Sequence, residues 1–94
     1  MVDESGSEPV QIERLLGIVR RLRDPDQGCP WDVGQTFRSI VPHTLEEAYE
    51  LADAIESNDF DQIREEAGDV LFQVMFYAQM ADEKQRFNFA DVVD

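Results

Sequence analysis

Two short acidic runs, placed symmetrically about a turn signal, constrain this chain more than any other feature. The first is Glu46-Glu47-Ala48-Tyr49-Glu50 and the second is Glu66-Ala67-Gly68-Asp69, with fifteen residues between them. Glu47 and Glu50 are three residues apart, as are Glu66 and Asp69. In a helix each pair therefore shares a face, about 4.5 Å apart along the axis. The turn signal is Ser57-Asn58-Asp59. Folding the chain back about Asn58 brings Glu50 level with Glu66, eight residues to either side, and Glu47 level with Asp69, eleven to either side. Four carboxylates then oppose one another, two against two. Arg64 is the only Lys or Arg between Ser39 and Glu83, so nothing in the segment offsets them. Like charges held this close either raise their pKa values or bind something positive. Hard divalent cations take oxygen ligands, and Mg²⁺ commonly combines carboxylates with a substrate phosphate.

The remaining pattern is helical throughout, with no strand, repeat or low-complexity signal. Residues 1–8 read as a polar, flexible N-terminus. From Pro9 a helix is predicted on the spacing of Ile12, Leu15, Leu16, Val19 and Leu22. Half of the basic residues decorate it, mostly near its C-terminal end, where cations complement the helix dipole. Asp24-Pro25-Asp26-Gln27-Gly28 stops it, and Cys29 to Pro42 reads as a long connection with a helical turn available over 35–40. Thr44-x-x-Glu47 fits a capping box and is taken to start the second helix, with Leu45, Ala48, Tyr49, Ala52 and Ile55 as its apolar stripe. Asp59-x-x-Gln62 is a second capping-box pattern and opens the third helix. From Val70 to Ala81 that helix is apolar nearly all round, which requires enclosure on every side. The expected fold is an all-α antiparallel bundle of three to four helices, a single domain over residues 9–94, completed by a second subunit.

Composition excludes several functions. Ninety-four residues allow one domain, and a chain this short gains stability by oligomerising. Twenty-one acidic against eight basic residues give a net charge of −13, which excludes a general nucleic-acid polymer binder. It leaves room for a small phosphorylated ligand that arrives with Mg²⁺. The single Cys29 forms no internal disulfide, and no Cys/His cluster points to zinc. No signal peptide or membrane-length apolar run is present, so the cytoplasm is the expected location and no membrane is implied.

Plainer roles compete at several positions. An acidic stripe on a helix is commonly a solvated face. Glu47 has a rival role in capping its helix through Thr44. Trp31, the only tryptophan, suits either a core or a stacking surface, and Cys29 suits a small buried apolar group. His43, the only histidine, fits an exposed position beside the helix start. Gln73 and Tyr77 lie on the Asp69 face of the third helix, within reach of a ligand bound there.

The acidic pattern stands together with an upstream segment, Gly28-Cys29-Pro30-Trp31-Asp32-x-x-Gln35-Thr36-x-x-Ser39. Joined, they resemble the MazG family of nucleoside triphosphate pyrophosphohydrolases, within the all-α NTP pyrophosphatase superfamily, from about Leu22 to Ala81. The resemblance implies hydrolysis of a nucleoside triphosphate between its α and β phosphates, with Mg²⁺ as cofactor (Mn²⁺ a substitute) and a homodimer or higher homo-oligomer. It implies Glu47, Glu50, Glu66 and Asp69 as metal ligands, with Glu46 assisting by positioning or deprotonating water. It implies Trp31 against the base, with Gln35 and Arg38 in the nucleotide site. The usual His after Gln-Thr is Phe37 here, which removes a polar group from the expected pocket. Members of this subtype continue beyond the position of residue 94 into a basic segment that helps hold phosphates, so a domain cut short at its C-terminus is implied. The segment most resembles the first domain of tandem members, for which a weakly active or inactive dimerisation or regulatory domain is the alternative reading.

Overall fold

The computed structural model describes residues 8–94. The polar tail expected over residues 1–8 lies outside the described residues except for Glu8, which already belongs to the first helix. Among the described residues there are five helices and no strand: α1 (Glu8–Leu22), α2 (Pro30–Val33), α3 (Phe37–Glu56), α4 (Phe60–Glu83) and α5 (Phe89–Val93). The fold is all-α, with three long helices and two short ones. Two compact units divide the chain, the first ending at Gly34 and the second spanning Gln35–Asp94.

In the first unit, α1 carries Glu8 in its first turn and Arg20 and Arg21 in its last, the arrangement that suits its dipole. The turn after it is built on Asp24, whose Oδ1 accepts from the backbone nitrogens of Asp26 (2.8 Å) and Gln27 (3.0 Å). Those two bonds hold the Asp24 carboxyl below its ordinary range. Gly28 closes the turn. A Cβ there would strike the Leu22 carbonyl oxygen and lie 2.5 Å from that of Asp24, so only glycine fits. Arg23 Nη1 donates to the carbonyls of Asp32 (2.7 Å) and Val33 (3.2 Å), satisfying acceptors at the end of α2. Cys29, half-buried, stands at the N-cap of α2.

The second unit departs from expectation at the start of α3. The helix begins at Phe37, not Thr44, and runs through Pro42. Its cap is reciprocal: Ser39 N donates to Thr36 Oγ1 (3.1 Å) and Thr36 N to Ser39 Oγ (2.8 Å). That box fixes the first turn upstream of the proline. Pro42 lacks the N–H that would reach the Arg38 carbonyl, and Arg38 is an exposed residue, where a freed carbonyl costs least. The two faces of α3 are also exchanged relative to the predicted stripe. Ile40, Thr44, Glu47, Leu51 and Ala54 are the covered positions, whereas Leu45, Ala48, Tyr49, Ala52 and Ile55 are exposed, Tyr49 by 74%.

The hairpin turn falls where the mirror arrangement places it. Asn58, at φ 57°, adopts the left-handed conformation. Asn58 N donates to the Ile55 carbonyl (3.0 Å) and Asp59 N to that of Ala54 (3.3 Å), a Schellman ending for α3. Asp59 then caps α4 by accepting from Gln62 N at 3.2 Å. A second Schellman ending closes α4, with Gln85 left-handed at φ 59° and Arg86 N bonded to the Ala81 carbonyl at 2.9 Å. Both α3 and α5 pack against α4. Met75, Phe76, Ala78, Met80 and Ala81 of α4 are buried, while Leu71 stays 43% exposed. The other positions of the apolar run over 70–81 are half-buried.

Candidate metal centre

Contacts across the hairpin fix an antiparallel register. Thr44 of α3 meets Gln73 and Tyr77 of α4, Glu47 meets Glu66 and Asp69, and Glu50 meets Glu66. This is the pairing that folding about Asn58 predicts. Glu47, Glu66 and Asp69 each offer a carboxylate oxygen, and the three atoms lie within 4.8 Å of one another. Glu47 and Glu66 are half-buried and Asp69 is exposed, so the cluster sits at the surface of the α3–α4 seam.

The electrostatics of the cluster are unfavourable as it stands. The Glu47 carboxyl is pushed up, first by loss of hydration and then by repulsion from Asp69, Glu66 and Glu46, with His43 opposing the trend. Glu50 is pushed up too, by loss of hydration, by Glu66 and Glu47, by a hydrogen bond it shares with Glu66, and by Glu46. Moreover, Glu47 Oε1 and Glu66 Oε1 are buried with no hydrogen-bond partner. An orphaned buried oxygen costs about 1–3 kcal/mol, and more when charged. Two such oxygens beside a third carboxylate form an all-oxygen, strongly negative donor set, which fits a hard divalent cation.

Thr44 anchors the seam one turn before Glu47. Its Oγ1 lies 2.8 Å from Gln73 Oε1, 2.7 Å from the Tyr77 hydroxyl and 3.3 Å from the Ile40 carbonyl. The consistent assignment has Tyr77 donating to Thr44 and Thr44 donating to Gln73. Thr44 is therefore a mid-helix tie, not a cap, and the rival role for Glu47 is removed. Gln73 and Tyr77 bond Thr44. Phe37 stacks on Tyr77 with ring centroids 5.7 Å apart.

None of the other sequence-predicted residues is among the three converging carboxylates. Glu46 and His43 are exposed on the flank of α3, beside an open groove of about 630 Å³ that Tyr49, Glu50 and Asp53 also line. Gln35 accepts from Ser39 Oγ at 2.7 Å in the capping turn of α3, and Arg38 is exposed one turn above Pro42. Trp31 belongs to the first unit, on α2, and is 56% exposed. Arg64 pairs with Asp61 at 3.3 Å. One residue went unread as part of the site. Gln62 was assigned to a reciprocal cap, but its side chain donates to Glu66 Oε2 at 2.5 Å. The signal was its spacing of four residues before Glu66.

The described part of the chain is thus an all-α protein whose helical hairpin gathers three carboxylates from facing helices around a partnerless pair of oxygens. The family model described as the MazG nucleotide pyrophosphohydrolase domain matches residues 35–94, and the chain belongs to the MazG family. Over 82 residues it is 63% identical to the nucleoside triphosphate pyrophosphohydrolase of Escherichia coli strain K12, covering 87% of this chain and 31% of that protein. Over 84 residues it is 45% identical to the nucleoside triphosphate pyrophosphohydrolase/pyrophosphatase MazG of Thermotoga maritima, covering 89% and 32%. The nucleoside triphosphate pyrophosphohydrolase of Mycolicibacterium smegmatis is 42% identical over 89 residues, covering 93% and 28%. The chain thus spans about a third of the length of these curated relatives. No described helix is long and apolar enough to cross a membrane.

Proposed function

We propose that the chain hydrolyses nucleoside triphosphates to the monophosphate and pyrophosphate in a Mg²⁺-dependent reaction, with Mn²⁺ able to substitute. The observation that carries this reading is the convergence of Glu47, Glu66 and Asp69, with the Glu47 and Glu66 Oε1 atoms buried and partnerless. Glu47, Glu50, Glu66 and Asp69 would hold the cation. When bound, it supplies charge neutralisation to the phosphate oxygens and acidifies water. Glu46, exposed beside Glu47 and Glu50, positions the attacking water and takes its proton. The water oxygen bonds to the α phosphorus, the bond from that phosphorus to the bridging oxygen breaks, and pyrophosphate leaves. Trp31 offers an exposed ring to the base, and Gln35 and Arg38 lie at the start of α3 for polar contacts with the nucleotide. The exposed apolar side chains of α3, Leu45, Tyr49 and Ile55, suit a homodimer or larger homo-oligomer. A cytoplasmic setting follows from the substrate.

A second reading is favoured by one observation. Arg64, the only Lys or Arg between Ser39 and Glu83, pairs at the surface with Asp61 on its own helix, so the stretch that carries the carboxylates offers at most one cation to a triphosphate. A domain that binds metal or nucleotide and regulates without turnover would look the same. Pyrophosphate release, measured on a panel of nucleoside triphosphates with Mg²⁺, with Mn²⁺ and in EDTA, separates the two. The enzymatic reading expects metal-dependent release that Glu50→Gln and Asp69→Asn abolish with helicity intact. Nucleotide binding without release on any substrate would overturn it in favour of the second.

A further inference from the structure

We infer that Gln62 is a positioning residue that aims Glu66 into the carboxylate cluster. This inference rests on the cation-binding part of the proposed function, and not on turnover. The two oxygens of Glu66 have different fates. Oε2 accepts from Gln62 Nε2 at 2.5 Å, whereas Oε1 is buried with no partner. Without the amide, only the hydrogen bond shared with Glu50 would hold the Glu66 carboxylate against repulsion from the cluster, leaving it free to turn toward water. Space for that swing exists. A cavity of about 190 Å³ lies at the turn end of the hairpin, bordered by Glu50, Asp53, Ser57, Asp59, Gln62 and Glu66.

The restraint on Gln62 traces to the chain itself. Asn58 sets the turn, Asp59 Oδ1 accepts from Gln62 N, and the side chain of Gln62 then lies one helical turn before Glu66 on the same face. A neutral donor is the suitable group here. It orders the carboxylate without cancelling its charge, as a Lys or Arg would. Partners that orient a ligating carboxylate in this way typically change metal affinity 10–100-fold when removed.

The test is Mn²⁺ binding followed by electron paramagnetic resonance, on the native chain, Gln62→Met and Gln62→Ala. Both substitutions keep the backbone cap to Asp59, and circular dichroism checks that helicity is unchanged. The expected result is Mn²⁺ binding weakened about 10–100-fold in both variants. The melting temperature in EDTA stays at the native value, so metal affinity falls while the fold is unchanged. A residue that merely supports the helix would shift thermal stability without this split. Native-like Mn²⁺ affinity in folded Gln62→Met overturns the inference and leaves the metal centre standing. Absence of Mn²⁺ binding by the native chain overturns the centre, and this inference with it.

Discussion

Replacing Glu47 with glutamine should make the metal-free chain more stable and the metal-loaded chain less so. Glu47 contributes one of three carboxylate oxygens that lie within 4.8 Å of one another. Two unit charges at that distance repel by about 0.9 kcal/mol at the dielectric of water. Glu47 meets two such neighbours, and salt at 0.15 M, with a Debye length of about 8 Å, roughly halves each contribution. Relief of about 1 kcal/mol follows, which in a domain this size raises the melting temperature by about 4–8 °C. The new amide also donates where Glu47 Oε1 had no partner. With metal present the order inverts. A cation at a hundredfold excess over its dissociation constant stabilises the native chain by about 2.7 kcal/mol, and the variant loses most of that. The assay is thermal unfolding of both proteins in EDTA and across a Mn²⁺ titration, with Glu65→Gln, exposed on the same helix as Glu66, as control. The control should stay within about 0.5 kcal/mol of native. If Glu47→Gln melts below the native chain in EDTA, the carboxylates are not in mutual repulsion and the account of the site is wrong.

Other predictions bear on the same hairpin. Glu47 and Glu50 carry folded-state pKa values above the ordinary glutamate value of 4.5, so the folded chain holds more protons than the unfolded one just above that pH. Stability in EDTA should therefore fall as pH rises from 5 toward neutrality, and saturating metal should reverse the slope; melts at a series of pH values read both. Asp24, lowered from 3.8, contributes with the opposite sign and only at lower pH. Thr44→Val removes two bonds across the α3–α4 seam, at 2.8 and 2.7 Å, and should cost about 1–3 kcal/mol in urea unfolding. Gln85→Gly relieves a side chain held at φ 59° in the turn that ends α4, and should raise stability by about 1 kcal/mol.

The hairpin and its register were legible because they rest on charge and turn chemistry. Acid spacing, an absence of cations and an Asn at the midpoint are all local facts, and the left-handed Asn58 bears them out. The start of α3 was not. Two capping patterns compete there, Thr36-x-x-Ser39 and Thr44-x-x-Glu47, and Pro42 between them argued for the later one. The earlier box won because it satisfies two backbone donors reciprocally, while the carbonyl freed by Pro42 lies at an exposed residue. The role of Gln62 was hidden for a similar reason. Its backbone is capped as the pattern requires, but the side chain had a charged partner one turn on.

The misread face of α3 bears on function as well. Burial follows hydrophobicity only where nothing else competes, and the predicted stripe of Leu45, Tyr49 and Ile55 is the most apolar one available. Yet the helix turns Thr44 and Glu47 toward α4 and leaves those apolar residues in water. Thr44 is repaid by partners from Gln73 and Tyr77. Glu47 is not, since its Oε1 has no donor and its neighbours Glu66 and Asp69 repel it. An apolar residue at position 47 would pack there without that cost. Departures from local rules that nothing in the fold compensates concentrate at functional sites. On the proposed function, the compensation would come from a cation that takes oxygen ligands between α3 and α4. Supplying it should recover the stability that the bare cluster forfeits.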